Sequence, residues 1–189
     1  MAEYSLEAAP PLAGYEKSFG GITLTAPKNL AVVAIAVPLG GEAAAKKAIK
    51  AGYGVDLPAP GKSVEAKDKS TAIMGLAPDL AFAVFGRAEP DAEDVVTAKL
   101  GDAVYLTDQT DTWCGLEISG TGCRAALERI CPIDLHPQAF AVNDVARTVM
   151  EHLGVVIART EEDKFLLLSA SSSARSFLHA VETSINNVS

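Results

Sequence analysis

Apolar and polar positions along the chain alternate with two periods, and Gly and Pro residues separate the segments. Residues 30–37, LAVVAIAV, form an unbroken apolar run bounded by Pro38 and Gly40. A run of that length with such flanks predicts a buried strand. Residues 42–51 are rich in alanine and lysine and predict a helix, with Gly52 at its C-cap. Residues 54–69 carry Pro58, Pro60, Gly61 and alternating charges, the composition of a loop. Two strand-like runs follow, 71–76 and 80–85, joined at Pro78-Asp79. Pro90-Asp91 then opens a helix. Ala92, Val95, Val96 and Lys99 fall at i, i+3, i+4 and i+7, and Gly101 is the stop. Residues 103–106 predict another strand. The order β-α-β-β-α-β is the split ferredoxin-like pattern, in which two helices cover one face of an antiparallel sheet.

The second half repeats this economy without repeating the sequence. Residues 113–118 predict a strand. Cys123, Ala126, Leu127 and Ile130 then share one helical face, and Cys131-Pro132 ends the helix. Three strands come next, at 146–150, 155–159 and 165–169. His152-Leu153-Gly154 and Glu161-Glu162-Asp163 join them. A last helix from about Ser173 places Ala174, Phe177, Leu178, Val181 and Ile185 in one stripe. The expected fold class is α+β, two packed ferredoxin-like halves with antiparallel sheets. The expected organisation is an N-terminal arm over 1–28, one half over 29–107 and the other over 108–189. The arm holds Pro10, Pro11, Gly14, Gly20, Gly21 and Pro27 and reads as extended rather than packed. It also carries Tyr4, Leu12, Tyr15, Phe19, Ile22 and Leu24, so it is expected to lie on its own domain or on a partner.

Composition narrows the function. The chain has 189 residues, 49% hydrophobic and 21% charged, enough for a real core. Its formal charge of -8 repels phosphate backbones, so no nucleic-acid partner is expected. The apolar run at 30–37 is too short to span a bilayer, and no membrane partner is expected. The start, MAEYSLEAAPPL, has neither the basic nor the apolar region of a secretory signal. Cys114, Cys123 and Cys131 are an odd count without a CxxC pair, which argues against a disulfide framework or a zinc site. A reducing cytoplasm is the expected location.

Two motifs invite a nucleotide. Gly120-Thr121-Gly122-Cys123-Arg124-Ala125 fits GxGxxA after a strand, and Asp144 stands about 20 residues on, where a ribose-binding acid belongs. The context fails: the helix is short, Pro132 stops it, and the segment before Asp144 contains Pro137 and is no buried parallel strand. A tight strand-to-helix turn needing positive φ accounts for the glycines. Gly61-Lys62-Ser63 resembles the end of a P-loop, but Asp56 stands where that motif needs glycine. Among the histidines, His152 is expected in an exposed turn and His136 in the loop Asp134-Leu135-His136-Pro137. His179 shares one polar helix face with Arg175 and Glu182. Asp108 and Asp111 flank Gln109-Thr110, where turn hydrogen bonds explain them. Five of six arginines, Arg124, Arg129, Arg147, Arg159 and Arg175, lie after residue 108, against one of ten lysines. Guanidinium groups suit interfaces, so the second half is partner-facing or the asymmetry is chance.

The residues also carry a resemblance. DQTDTW at 108–113, GTGC at 120–123, CPIDLH at 131–136 and ART at 146–148 resemble the gamma subunit of heterotetrameric sarcosine oxidase. FLLLS at 165–169, SARS at 173–176, DLPAPGK at 56–62 and APPLA at 9–13 extend the likeness along most of the chain. That resemblance implies a fold similar to the folate-binding region of the glycine-cleavage T-protein. It implies alpha, beta and delta partner subunits, with NAD and folate on alpha, FAD and FMN on beta and zinc on delta. The complex demethylates sarcosine to glycine, giving hydrogen peroxide and 5,10-methylenetetrahydrofolate. No catalytic, cofactor or metal residue carries over onto this chain, whose expected role is structural. The expected partner-facing residues are Asp134, His136, Arg175, His179 and Glu182. The alternatives are a free-standing folate-dependent one-carbon transferase and a subunit of a related N-methyl amine demethylase complex.

Overall fold

The computed structural model describes residues 9–188. Tyr4 therefore lies outside the described residues. Two antiparallel sheets pack face to face, and each is covered on its outer face by two helices, giving four layers.

The first sheet contains β3 (Leu30–Ala36), β4 (Ser63–Glu65), β5 (Thr71–Ala77), β6 (Leu80–Gly86) and β7 (Tyr105–Asp108), in the order β4-β5-β6-β3-β7. Helix α1 (Glu42–Tyr53) links β3 to β5 by way of β4, and α2 (Ala92–Leu100) links β6 to β7. The two crossovers interleave, which is the ferredoxin-like arrangement. The inward stripe of α2 is Ala92, Val96 and Leu100, which packs with Ile49 and Tyr53 of α1 and with Val33 and Ile35 of β3.

The second sheet has the order β1-β2-β8-β11-β10-β9. Its members are β1 (Glu16–Phe19), β2 (Ile22–Thr25), β8 (Trp113–Ser119), β9 (Val145–Met150), β10 (Leu153–Glu161) and β11 (Lys164–Ala170). The short helix α3 (Cys123–Glu128) and α4 (Ala174–Asn186) cover its outer face through Leu127, Phe177, Val181 and Ile185. Between the sheets lies a third apolar layer, with Val32, Met74 and Phe82 meeting Val156, Leu166 and Leu168. Strands buried on both faces read as continuous apolar runs, as residues 30–37 and 165–168 do.

Two backbone bonds close one corner of the sandwich. Ser63 N–H donates to the Asn143 carbonyl at 2.7 Å, and Val145 N–H donates to the Gly61 carbonyl at 3.0 Å. The Lys62 ammonium pairs with Asp144 across the same corner. Arg159, only 3% exposed, reinforces it from inside. Its guanidinium donates to the Phe140 carbonyl at 2.8 Å and to the Glu162 carbonyl, and faces the Phe165 ring.

The structure corrects several expectations. The N-terminal segment is not simply an extended arm. Residues 16–25 form a hairpin that adds two strands to the second sheet, and β2 pairs with β8. The reason is a period-two pattern: Ile22, Leu24 and Ala26 are buried and Thr23 and Thr25 are not. Helix α1 runs one residue past Gly52 and is capped by Gly54, which is left-handed at φ 74°. Gly52 sits inside the helix because α2 approaches there; a side chain on it would come within 2.7 Å of the Lys99 carbonyl. The expected loop over 54–69 contains β4. The strand expected at 103–106 lies at Tyr105–Asp108, because Gly101–Ala103 continues α2 as a 3-10 turn. Arg159 is internal, so the arginine asymmetry is not wholly a surface property.

Candidate functional site

Five segments meet where β3 and β8 begin and β6, β7 and β11 end. They enclose a cleft of about 550 Å³. Its apolar wall includes Pro11, Leu12, Leu30 and Trp113. Trp113 is half-buried and edge-on to Phe82, with ring centroids 5.7 Å apart. Its indole N–H donates to Gln109 Oε1 at 3.1 Å, which fixes the ring. Polar groups on the rim are engaged with each other. Arg87 donates from Nε and Nη2 to the two carboxylate oxygens of Asp91, both at 2.6 Å, and lies 3.3 Å from Glu89. That fork holds the Asp91 carboxyl below the usual carboxylate range. Asp108 accepts the Thr110 N–H at 2.8 Å, the turn expected from the sequence, and the Thr110 hydroxyl accepts the Val32 N–H at 3.2 Å. Ser171 donates to the Asp111 carbonyl at 2.7 Å. Among the described residues lining the cleft there is no histidine, and no nucleophile is paired with a general base. The arrangement can hold a partner's side chains or a ligand in place, and its titratable lining groups include Lys28, Glu89, Asp108, Asp111 and Cys114.

The glycine turn is filled by the protein itself. Gly120 has φ 109°, the conformation the tight turn requires. A side chain on it would overlap the carbonyl oxygen of Gly21, and one on Gly122 would come within 2.8 Å of Ile22 Cδ1. The space a pyrophosphate would need is occupied by the β1–β2 turn, and α3 has only six residues. Asp144 is equally committed: it pairs with Lys62, the lysine of the P-loop-like triplet, and accepts the Ala141 N–H at 2.9 Å. Both nucleotide motifs thus dissolve into packing and one ion pair.

All three cysteine thiols are buried. Burial pushes each thiol pKa up, that of Cys123 to about 11. Among the described residues, no group of three or more His, Cys, Asp or Glu side chains could hold a metal ion. Among the same residues, no helix is long and apolar enough to cross a membrane.

The five residues expected to face a partner come from two places, the loop after α3 and helix α4. Asp134 and His136 are exposed and shape their own loop. Asp134 accepts the His136 N–H at 2.9 Å, and His136 Nδ1 accepts the Gln138 N–H at 3.3 Å. Arg175 and His179 are exposed on α4. Glu182 is held internally, accepting the Tyr15 hydroxyl at 2.8 Å and the Lys17 ammonium at 2.9 Å. It ties α4 to the N-terminal segment. The cleft and the Lys62–Asp144 pair were not singled out by sequence. Trp113, the chain's single tryptophan, ends the polar run DQTDTW, whose Asp108, Thr110 and Asp111 also line the cleft.

A model of the sarcosine oxidase, gamma subunit family matches residues 40–185. The chain belongs to that family. Curated gamma subunits from Arthrobacter sp. and Corynebacterium sp. (strain P-1) are each 31% identical, over 64% and 74% of this chain. The matched stretches span 60% and 67% of those relatives' own length. A chain of the heterotetrameric sarcosine oxidase of Corynebacterium sp. U-96 superposes with a TM-score of 0.74 and 26% identity. That likeness covers 88% of this chain and 85% of that one. The glycine cleavage system aminomethyltransferase T of Bartonella henselae matches with a TM-score of 0.65 at 15% identity, over 85% of this chain and 45% of that one. This second likeness establishes a shared fold. This chain therefore shares a fold with that aminomethyltransferase, as the resemblance implied.

Proposed function

We propose that this chain is the gamma subunit of a heterotetrameric, flavin-dependent sarcosine oxidase and acts there as a non-catalytic structural subunit. The likeness to a chain of the Corynebacterium heterotetramer, over most of both chains, carries this reading. In that reading alpha, beta and delta subunits are the partners, in the cytoplasm, and hold FAD, FMN, NAD, zinc and tetrahydrofolate. The complex converts sarcosine to glycine, with hydrogen peroxide and 5,10-methylenetetrahydrofolate as products. The self-paired rim of the cleft and the packed glycine turn support a role in assembly rather than in chemistry. Arg175, His179 and the Asp134–His136 loop are the exposed residues of the proposed contact surface; Glu182 supports α4 from beneath. Co-expression with the three candidate partner subunits tests the proposal. Co-purification of four chains with sarcosine-dependent peroxide formation is the expected result. A soluble monomer that ignores all three would sink it.

The fold shared with aminomethyltransferase T favours one other reading, a free-standing folate-dependent one-carbon transferase. Calorimetry with tetrahydrofolate separates the two. Binding heat from the isolated chain, without partners, selects the transferase.

A further inference from the structure

Strand β9 closes one edge of the second sheet, and its outer side is only partly used. In an antiparallel ladder, alternate residues turn both backbone groups toward one neighbour and the next residues turn them away. Val145 N–H points away from β10, because it donates to Gly61 in the turn before β4. Arg147 and Val149 share that parity, so their N–H and C=O groups also point outward. Gly61 runs beside β9 at its first residue, and just past its last the Glu151 N–H donates to the Ile130 carbonyl at 3.2 Å. Ala59 and Pro60 would come next along the edge, but the chain turns off there and pairs inward, with the Lys62 N–H donating to Ala59. Among the described residues no backbone group meets the N–H of Arg147 or Val149.

The other sheet edges are guarded. β4 has three residues and β1 four, with Glu16 and Lys17 exposed on it. On β7 the Asp108 N–H is taken by the Glu93 carboxylate of α2 at 3.3 Å. β9 has six residues and no lysine or proline, and Val149 is 47% exposed. The open stretch between the Gly61 and Glu151 contacts, Arg147 to Val149, with its exposed valine, is a short template for an added strand. Arg147, laid 5.9 Å from the Phe82 ring, leaves one cation beside it.

Building on the assembly reading above, we propose that the outer edge of β9 receives an extended segment of a partner subunit as an added strand. Arg147 and Val149 supply up to four main-chain hydrogen bonds. The arriving strand carries a carboxylate opposite Arg147 and an aliphatic side chain opposite Val149. The alternation of charge and β-branched surface along this edge sets that chemistry.

Hydrogen exchange on the co-purified complex tests it directly. The amides of Arg147 and Val149 are expected to exchange at least about 100-fold more slowly than unprotected amides. Val149→Pro removes an outward N–H without touching the β10 ladder, and Arg147→Glu reverses the charge with the backbone intact. Each is expected to weaken retention of the partners about tenfold, while Val149→Thr, which keeps the N–H, does not. Free exchange at both amides in an intact complex, with retention unchanged in the two variants, overturns the strand-docking proposal and leaves the assembly reading standing. Failure of the subunits to co-purify at all overturns both. Protection of the same amides in a homodimer of the isolated chain assigns the edge to a second copy and overturns the partner strand.

Discussion

The Gly21 carbonyl oxygen lies where a side chain on Gly120 would project. This contact joins the turn of the N-terminal hairpin to the turn between β8 and α3, about a hundred residues later in the chain. It explains why a dinucleotide-like glycine pattern occurs in a protein whose glycine turn has no room for a phosphate. Both the positive φ and the close approach demand glycine at 120. Gly120→Ala is expected to lower stability by about 2–3 kcal/mol, read from urea unfolding. Gly21→Ala, at φ 106° but with open space around it, is expected to cost about 1 kcal/mol. Equal losses in the two variants would show that the approach of Gly21 to Gly120 adds nothing.

How much of this was legible in the sequence depends on how local each feature is. Strands β3, β6 and β11 declared themselves as apolar runs, and α2 and α4 as stripes, because a buried face imposes its period on neighbouring residues. The hairpin at 16–25 did not. Its apolar positions are few, its glycines and prolines suggest a loop, and its partner β8 is far along the chain. Gly52 reads locally as a helix stop because nothing in the neighbouring sequence records that α2 passes over it. The cleft escaped for the same reason: Leu12, Leu30, Arg87, Trp113 and Ser171 meet only after both sheets have formed. Lys62 and Asp144 are 82 residues apart, and each sat inside a motif that suggested another partner.

Glu182 makes stability pH-dependent at the acid end. The Lys17 ammonium and the Tyr15 hydroxyl hold its carboxyl below the ordinary 4.5. A depressed folded-state pKa means that the contact stabilises above about pH 4.5 and is lost as pH falls through the folded value. Lys17 is half-exposed, so the contribution is modest, below about 1 kcal/mol. In Glu182→Gln the unfolding midpoint should fall slightly at pH 7, and the gap from the parent should close as pH falls below 4.5 and through the lower folded-state value. A gap that stays constant with pH would remove the carboxylate from the explanation.

The three thiols should be silent in the folded state. Only the thiolate attacks an alkylating reagent, and burial disfavours it at Cys114, Cys123 and Cys131. At pH 7 the native protein is expected to resist iodoacetamide, and all three thiols should react once it is unfolded in urea. Mass spectrometry counts the adducts. Rapid labelling of Cys123 under native conditions would mean that the layer of α3 and α4 opens readily.

Arg159 clamps the chain ahead of β9. Its guanidinium bonds Phe140 and Glu162, and its backbone carbonyl accepts the Asn143 N–H at 2.8 Å. Burial of the cation opposes these bonds, but removing it leaves the Phe140 carbonyl without its donor. Arg159→Met is expected to destabilise by about 2 kcal/mol. Arg159→Lys should not recover the loss, because an ammonium cannot span both carbonyls. Thermal unfolding of the two variants against the parent measures this. Full recovery by lysine would reduce the role of Arg159 to charge alone.

Arg175 tests the proposed contact surface on α4. It is exposed in the first turn of that helix, and no ion pair among the described residues engages it, whereas Arg124 pairs with Glu128 at 3.2 Å. A free guanidinium on a rigid helix can meet a partner carboxylate with little loss of freedom. Arg175→Glu should therefore weaken retention of the other subunits and lower their association rate, most clearly at low salt. Arg124→Glu is a surface control with the same change of charge, and its stability cost should stay within about 0.5 kcal/mol. If the two reversals affect co-purification equally, net charge is the cause and the Arg175 face is not a contact. Loss confined to Arg175→Glu, with unfolding unchanged, places the partner against the first turn of α4.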